Sequence, residues 1–195
     1  MRNKIILIIF FVVILTLIFQ LFHFAEHLIQ LVAWLGGFRN MPYMSPWATE
    51  LVWLLGESMV PGEEDYHRIF MVGVELLHLI GNAVFLVGTF GLYWFLRNKL
   101  AGWALILQAV HVFEHIMLFF SAYYIHQSIG MSTAFGYFQP YGTDLYDQAG
   151  LTTLRVWWHF IANLIPSVLV GIAVFDRFKK KSLASTVPTW AFKGK

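Results

Sequence analysis

Four stretches of this chain are apolar over about 20 residues or more, the length a helix needs to cross a bilayer. They run from about Ile5 to Trp34, Ile69 to Phe95, Leu100 to Tyr124 and Leu154 to Phe175. In lipid every backbone N–H and C=O has to be satisfied inside its own segment, so such stretches are read as helices rather than strands. Composition points the same way, with 58% apolar and 12% charged residues against about 25% charged in a soluble domain. The expected fold is an all-α integral membrane protein, a bundle of four transmembrane helices. It forms one domain over residues 1–181, followed by a cytoplasmic tail, 182–195.

The basic residues set the expected orientation. Arg2 and Lys4, Arg97 and Lys99, and Arg177, Lys179, Lys180 and Lys181 all fall at one side of the bundle. The other side carries two longer loops with Glu50, Glu57, Glu63, Glu64, Asp65, Asp144 and Asp147. The positive-inside rule then places both termini in the cytoplasm of a multi-pass cell-membrane protein and both long loops outside. The apolar run after Met1-Arg2-Asn3-Lys4 is longer than the h-region of a signal peptide, and no small-x-small site follows it. It reads as a first spanning helix and signal anchor. The first outer loop predicts a short helix over Ser45 to Leu55, with serine as N-cap and Pro46 at its first position. Trp47, Leu51, Leu54 and Leu55 share one face of it, as an interfacial or lid helix requires. The second loop, Gly130 to Gly150, has the length of a lid. A net charge of +2 with no basic stripe argues against nucleic acid as a partner. The expected partners are the bilayer and a larger membrane complex or homo-oligomer.

Two motifs recur in the same order. His23-Phe24-Ala25-Glu26-His27 and His111-Val112-Phe113-Glu114-His115 are both His-x-x-Glu-His, while His78 to Asn82 and His159 to Asn163 are both His-x-x-x-Asn. The chain therefore reads as two helical hairpins of matching design, about 1–96 and 97–181, arranged as parallel repeats. Residues i, i+3 and i+4 share a helix face, so His23, Glu26 and His27 project together, as do His111, Glu114 and His115. Glu75 stands one turn before His78. This Glu-x-x-His spacing is the one di-iron carboxylate bundles use. All eight histidines belong to the outer half or its rim, with His67 and His126 at the outer helix ends. Counted along the helices, His23 and His27 are expected somewhat farther out than His78, His111, His115 and His159, unless the first helix begins lower than its apolar limits.

Ionisable groups inside lipid are costly unless paired, protonated or bound to a cation, and they normally mark function. Cysteine is absent, which excludes disulfides, thiolate zinc and Fe–S sites. A divalent transition metal (iron, zinc or copper) with imidazole and carboxylate ligands answers the cost of all these groups together. The expected ligand set is His23, Glu26, His27, Glu75, His78, His111, Glu114, His115 and His159. Asn82 and Asn163 are read as packing or orienting groups. Such a site suits redox chemistry or hydrolysis on a lipid-soluble substrate, with Glu26 and Glu114 as the catalytic carboxylates. His-x-x-Glu-His also resembles a zinc-hydrolase signature, over five residues only. The histidines do not form the His-His doublets of membrane desaturases. The alternatives are a b-type haem electron-transfer protein, with histidines as axial ligands, a proton or metal-ion pathway, and an accessory subunit whose polar core only fixes helix packing.

Overall fold

The computed structural model of the chain describes residues 2–37, 44–131 and 149–180, and among these it contains five helices and no strand. They are α1 (Arg2–Leu35), α2 (Pro46–Met59), α3 (Tyr66–Leu96), α4 (Lys99–Ile125) and α5 (Ala149–Lys180). All but α2 are long and apolar enough to cross a membrane. The tail 182–195 and the 132–148 part of the second loop, with Asp144 and Asp147, lie outside the described residues.

Local chemistry fixes the helix ends. Gly37, at φ 101°, closes α1 in the left-handed conformation that glycine adopts without steric cost. Asp65 caps α3 by accepting the His67 N–H at 2.9 Å. Asn98 caps α4 by accepting that of Leu100 at 2.7 Å. Between them Arg97 is left-handed, its N–H bonded to the Tyr93 carbonyl at 2.8 Å and its guanidinium over the Tyr93 ring. This tight turn makes α3 and α4 antiparallel neighbours. Ser45 precedes α2 in extended conformation with Pro46 following, but its hydroxyl makes no capping bond.

The buried residues of the four long helices follow one rule. On α4 they include Ala101, Ala104, Gln108, His111, His115, Leu118 and Ala122, at alternating steps of three and four. The same alternation runs through Glu75, His78, Asn82, Phe85, Thr89 and Leu92 on α3, and through Val156, His159, Asn163, Pro166, Val170 and Ala173 on α5. On α1 it runs through Val13, Thr16, Gln20, His23, His27 and Gln30. This is the a/d seam of a left-handed bundle, a period of 3.5 that keeps one stripe of each helix facing inward. The helices pack in a ring, α1 against α3 and α5, and α4 against α3 and α5. One apolar cluster, with Val13, Phe85, Leu92, Ala101, Ala104, Val170 and Ala173, fills the end nearest the Arg97 turn. A second, with Val60, Ile69, Met71, Val72, Phe119 and Ala122, lies toward the α2 end. The polar seam residues occupy the layer between.

α1 begins lower than its apolar limits suggest. Phe10 packs against Phe95 with ring centroids 5.6 Å apart, so the stretch from Arg2 to Ile9, about 12 Å of helix, continues past the α3–α4 turn. That offset lowers His23 and His27 to the level of the other histidines, correcting the expectation that they lie farther out.

α2 lies on α3 through Ala48, Val52 and Gly56, with Trp47, Leu51 and Leu54 exposed on the opposite side. The approach is backbone to backbone: a Cβ on Gly73 would sit 2.0 Å from the Val52 carbonyl oxygen, and one on Gly56 2.1 Å from that of Ile69. The connection into α3 is held by Glu63. Its carboxylate accepts the N–H groups of Glu64 and Asp65 at 3.1 and 3.2 Å and pairs with Arg68, which also donates to the Tyr123 carbonyl at the end of α4. The Asp65 N–H and then the Arg68 guanidinium hold the Glu63 carboxyl below its ordinary range.

Two outcomes follow from this packing. Gly73→Ala lowers the thermal midpoint in detergent by the equivalent of about 1–3 kcal/mol. Gly171→Ala, with nothing within 4 Å of the added Cβ, leaves the midpoint unchanged or raises it. Because the folded pKa of Glu63 is depressed, its contribution is full above the unfolded value of about 4.3 and disappears as pH falls through the lower folded value. In acid melts at low salt, Glu63→Gln therefore removes part of the loss of stability seen on the acid side of that value.

Candidate functional site

Six of the eight histidines meet in the polar layer. α1 supplies His23 and His27, α3 His78, α4 His111 and His115, and α5 His159. The ring contacts come in matched pairs. His23–His27 and His111–His115 are edge-to-face at 4.6 and 4.7 Å between centroids. His23–His78 and His111–His159 are both 6.0 Å apart, and His27–His78 and His115–His159 are 5.4 and 5.1 Å apart. Across the bundle, His27 stacks on His159 at 5.8 Å and His78 on His115 at 5.4 Å, both within 8° of parallel. His78 and His159, 5.4 Å apart, join the two sets. His67 and His126 are exposed and stand outside this layer.

A belt of carboxamides lies one turn below. Gln20 donates to the Asn163 side-chain oxygen at 3.1 Å, and Gln108 to that of Asn82 at 3.0 Å. Asn163 and Asn82 each donate to the carbonyl of the histidine four residues earlier, His159 and His78, at 2.9 Å. The two asparagines thus bond both to their own helix and to the glutamine of a neighbouring one. Sequence reasoning missed the two glutamines. The signal was present, because Gln20 and Gln108 each stand three residues before a motif histidine and extend the repeat to Gln-x-x-His-x-x-Glu-His.

The hydrogen bonds show which ring nitrogens face inward with a lone pair. His78 Nδ1 lies 2.8 Å from the Val74 carbonyl; a carbonyl only accepts, so Nδ1 carries the proton and Nε2 of the neutral ring carries the lone pair. His27 Nδ1 lies 3.1 Å from the Gln30 carboxamide oxygen, and its Nε2 is 3.2 Å from His23 Nε2. His111 Nε2 faces the Asn163 amide nitrogen at 3.3 Å. His115 is fully buried, and neither of its ring nitrogens has a hydrogen-bond partner. The nearest charge is Glu75, whose carboxylate oxygen is 3.9 Å from His115 Nδ1.

The other two carboxylates are engaged elsewhere as well. Glu26 accepts the backbone N–H of Ser45 at 2.8 Å, and Glu114 accepts that of Met131. Each ties a motif helix to a backbone N–H of the chain that follows it. After α4 the chain folds back to reach Glu114, with Ser121 bonded to both backbone groups of Ile129. A Cβ on Gly130 would lie 2.4 Å from the Glu114 carboxylate.

The ring spacing suits ligation of a small ion. With metal–nitrogen bonds of about 2.1 Å, two imidazoles on one ion have centroids about 4.5 Å apart at a right angle and about 6.4 Å apart when trans. Every contact above falls within that window. His23 Nε2 and His27 Nε2 share a hydrogen bond at 3.2 Å, closer than the about 4 Å between trans axial ligands of a haem iron. Among the described residues, no three His, Asp or Glu side chains already converge as a complete ligand set, so any loading requires the rings to turn.

A double-mutant cycle checks the carboxamide belt. Gln108 with Asn82, and Gln20 with Asn163, are expected to couple by about 0.5–1.5 kcal/mol in reversible detergent unfolding. Gln20 with Asn82, which share no hydrogen bond among those described, should add without coupling.

Neither the curated proteins nor the solved structures contain a match to this chain. A family model does match, over residues 1–190: the chain belongs to a family of unknown function, DUF6008.

Proposed function

We propose that this protein is a membrane-spanning bundle whose imidazole layer binds a first-row transition metal ion, and that the bundle is a duplicated helical hairpin. The observation that carries the metal reading is the layer of six buried and half-buried histidines in mutual ring contact, closed by an apolar cluster on the side of the Arg97 turn. Imidazole nitrogens suit iron, copper and zinc, and the Asn/Gln belt supplies the orienting bonds that metal-binding histidines need. The duplication is supported by the matched ring contacts and by the paired Gln–Asn bonds. The membrane reading is supported by the four apolar helices, and the positions of Arg2, Lys4, Arg97 and Lys99 favour cytoplasmic termini with the site toward the outer face.

Beyond binding, the chemistry we propose is redox or hydrolytic, on a lipid-soluble substrate. Glu26 and Glu114 link the layer to the two outer connections, so movement of those connections would change carboxylate supply at the site. The b-type haem reading is disfavoured by the neighbouring 3.2 Å nitrogen pair. The accessory-subunit reading predicts a protein that carries no metal.

His78 and His159 are common to both sides of the layer, so the test is their joint replacement. Detergent-purified wild type, never exposed to chelator, should retain stoichiometric iron, copper or zinc by mass spectrometry without a Soret band. His78→Gln/His159→Gln should retain at least about tenfold less. Stoichiometric metal in the double variant, or none in folded wild type, overturns the proposal.

A further inference from the structure

Resting on the metal reading above, we infer that the layer holds a single divalent cation, placed off centre against His115 and Glu75, while the His23–His27 side is closed by hydrogen bonds. The two sides match in their histidines and differ at two buried positions. Three residues after His27 stands Gln30; three after His115 stands Leu118. Three residues before His78 stands Glu75; three before His159 stands Val156. All four side chains are buried. One side therefore gains a carboxamide where the other has an apolar group, and lacks the carboxylate that the other has.

The consequences appear at the rings. His27 is engaged at both nitrogens, with Gln30 at 3.1 Å and His23 at 3.2 Å. With leucine in the place of Gln30, His115 has no hydrogen bond at either nitrogen although it is fully buried. A buried polar ring left so is costly unless a ligand completes it. The Glu75 oxygen stands 3.9 Å from His115 Nδ1. That is too far for a hydrogen bond, but two ligands of one ion with bonds of about 2.1 Å are separated by about 3.0–4.2 Å. Charge favours the same side. A divalent cation in an apolar bundle requires an anion close by, and the Glu75 carboxylate stands against His115, while Glu26 and Glu114 accept backbone amides. His159, 5.1 Å from His115 between centroids, would complete the set once the rings turn.

The experiment uses the full chain in detergent, with metal content by mass spectrometry and cobalt(II) titration read from its visible d–d bands. Glu75→Gln and His115→Gln should each lower retained metal at least about tenfold, while Gln30→Leu leaves it within about twofold. Glu75→Asp, which keeps the charge, should recover cobalt(II) binding, and unchanged helical circular dichroism in Glu75→Gln separates ligand loss from misfolding. If Gln30→Leu lowers retained metal as far as Glu75→Gln while wild type stays loaded, metal binding stands and the off-centre placement is overturned. A helical Glu75→Gln protein with stoichiometric metal also overturns the placement. Wild type that neither holds metal nor develops cobalt bands removes both.

Discussion

A buried imidazole or carboxamide without a partner costs on the order of a few kcal/mol, and the seam of this bundle carries many of them with apolar packing above and below. The helices of the seam therefore have to satisfy one another. The Gln20–Asn163 and Gln108–Asn82 bonds do this between helices, while Asn82 and Asn163 reach back to their own helix carbonyls. Register then follows from polar pairing as much as from shape. A slip of one turn would set Gln20 against an apolar part of α5 and leave both amides unmet.

The same constraint explains why the polar residues share one layer. Spread along the seam, they would interrupt the a/d packing at many levels. Gathered, they leave the Val13–Phe85–Leu92–Ala101 cluster intact at one end and the Val60–Met71–Phe119 cluster at the other. The outer connections are fastened to this layer rather than to the helix ends, through Glu26 on Ser45 and Glu114 on Met131. Those carboxylates stand three residues after His23 and His111, so anything that turns the motif helices also moves the anchors of both connections.

Much of the fold was legible because the signals are local. Apolar length defined α1, α3, α4 and α5 to within a few residues at most ends, and Ser45-Pro46 marked the start of α2. The Asx caps at Asp65 and Asn98 were equally local, though they were not read in advance. The histidine layer was legible because two motifs recur at helical spacing. The belt beneath it was not read, since glutamine is an ordinary residue until its pairing across helices is seen. The level of His23 was open in the sequence because apolar limits do not say where a helix begins relative to its neighbours; the contact of Phe10 with Phe95 does.

The sequence by itself determined that four apolar helices carry histidine, glutamate and asparagine at fixed helical offsets, because periodicity and segment length are properties of the chain alone. Which of those groups face one another was decided only by the tertiary structure. Helix order around the ring sets Glu75 against His115, and gives Gln20 to Asn163 rather than to Asn82. It also shows that Glu26 and Glu114 bond backbone amides of the chain that follows. Such contacts depend on how far one helix is shifted against the next. That shift is fixed by packing between residues distant in sequence, such as Val13 against Gly91 and Gly73 against Val52.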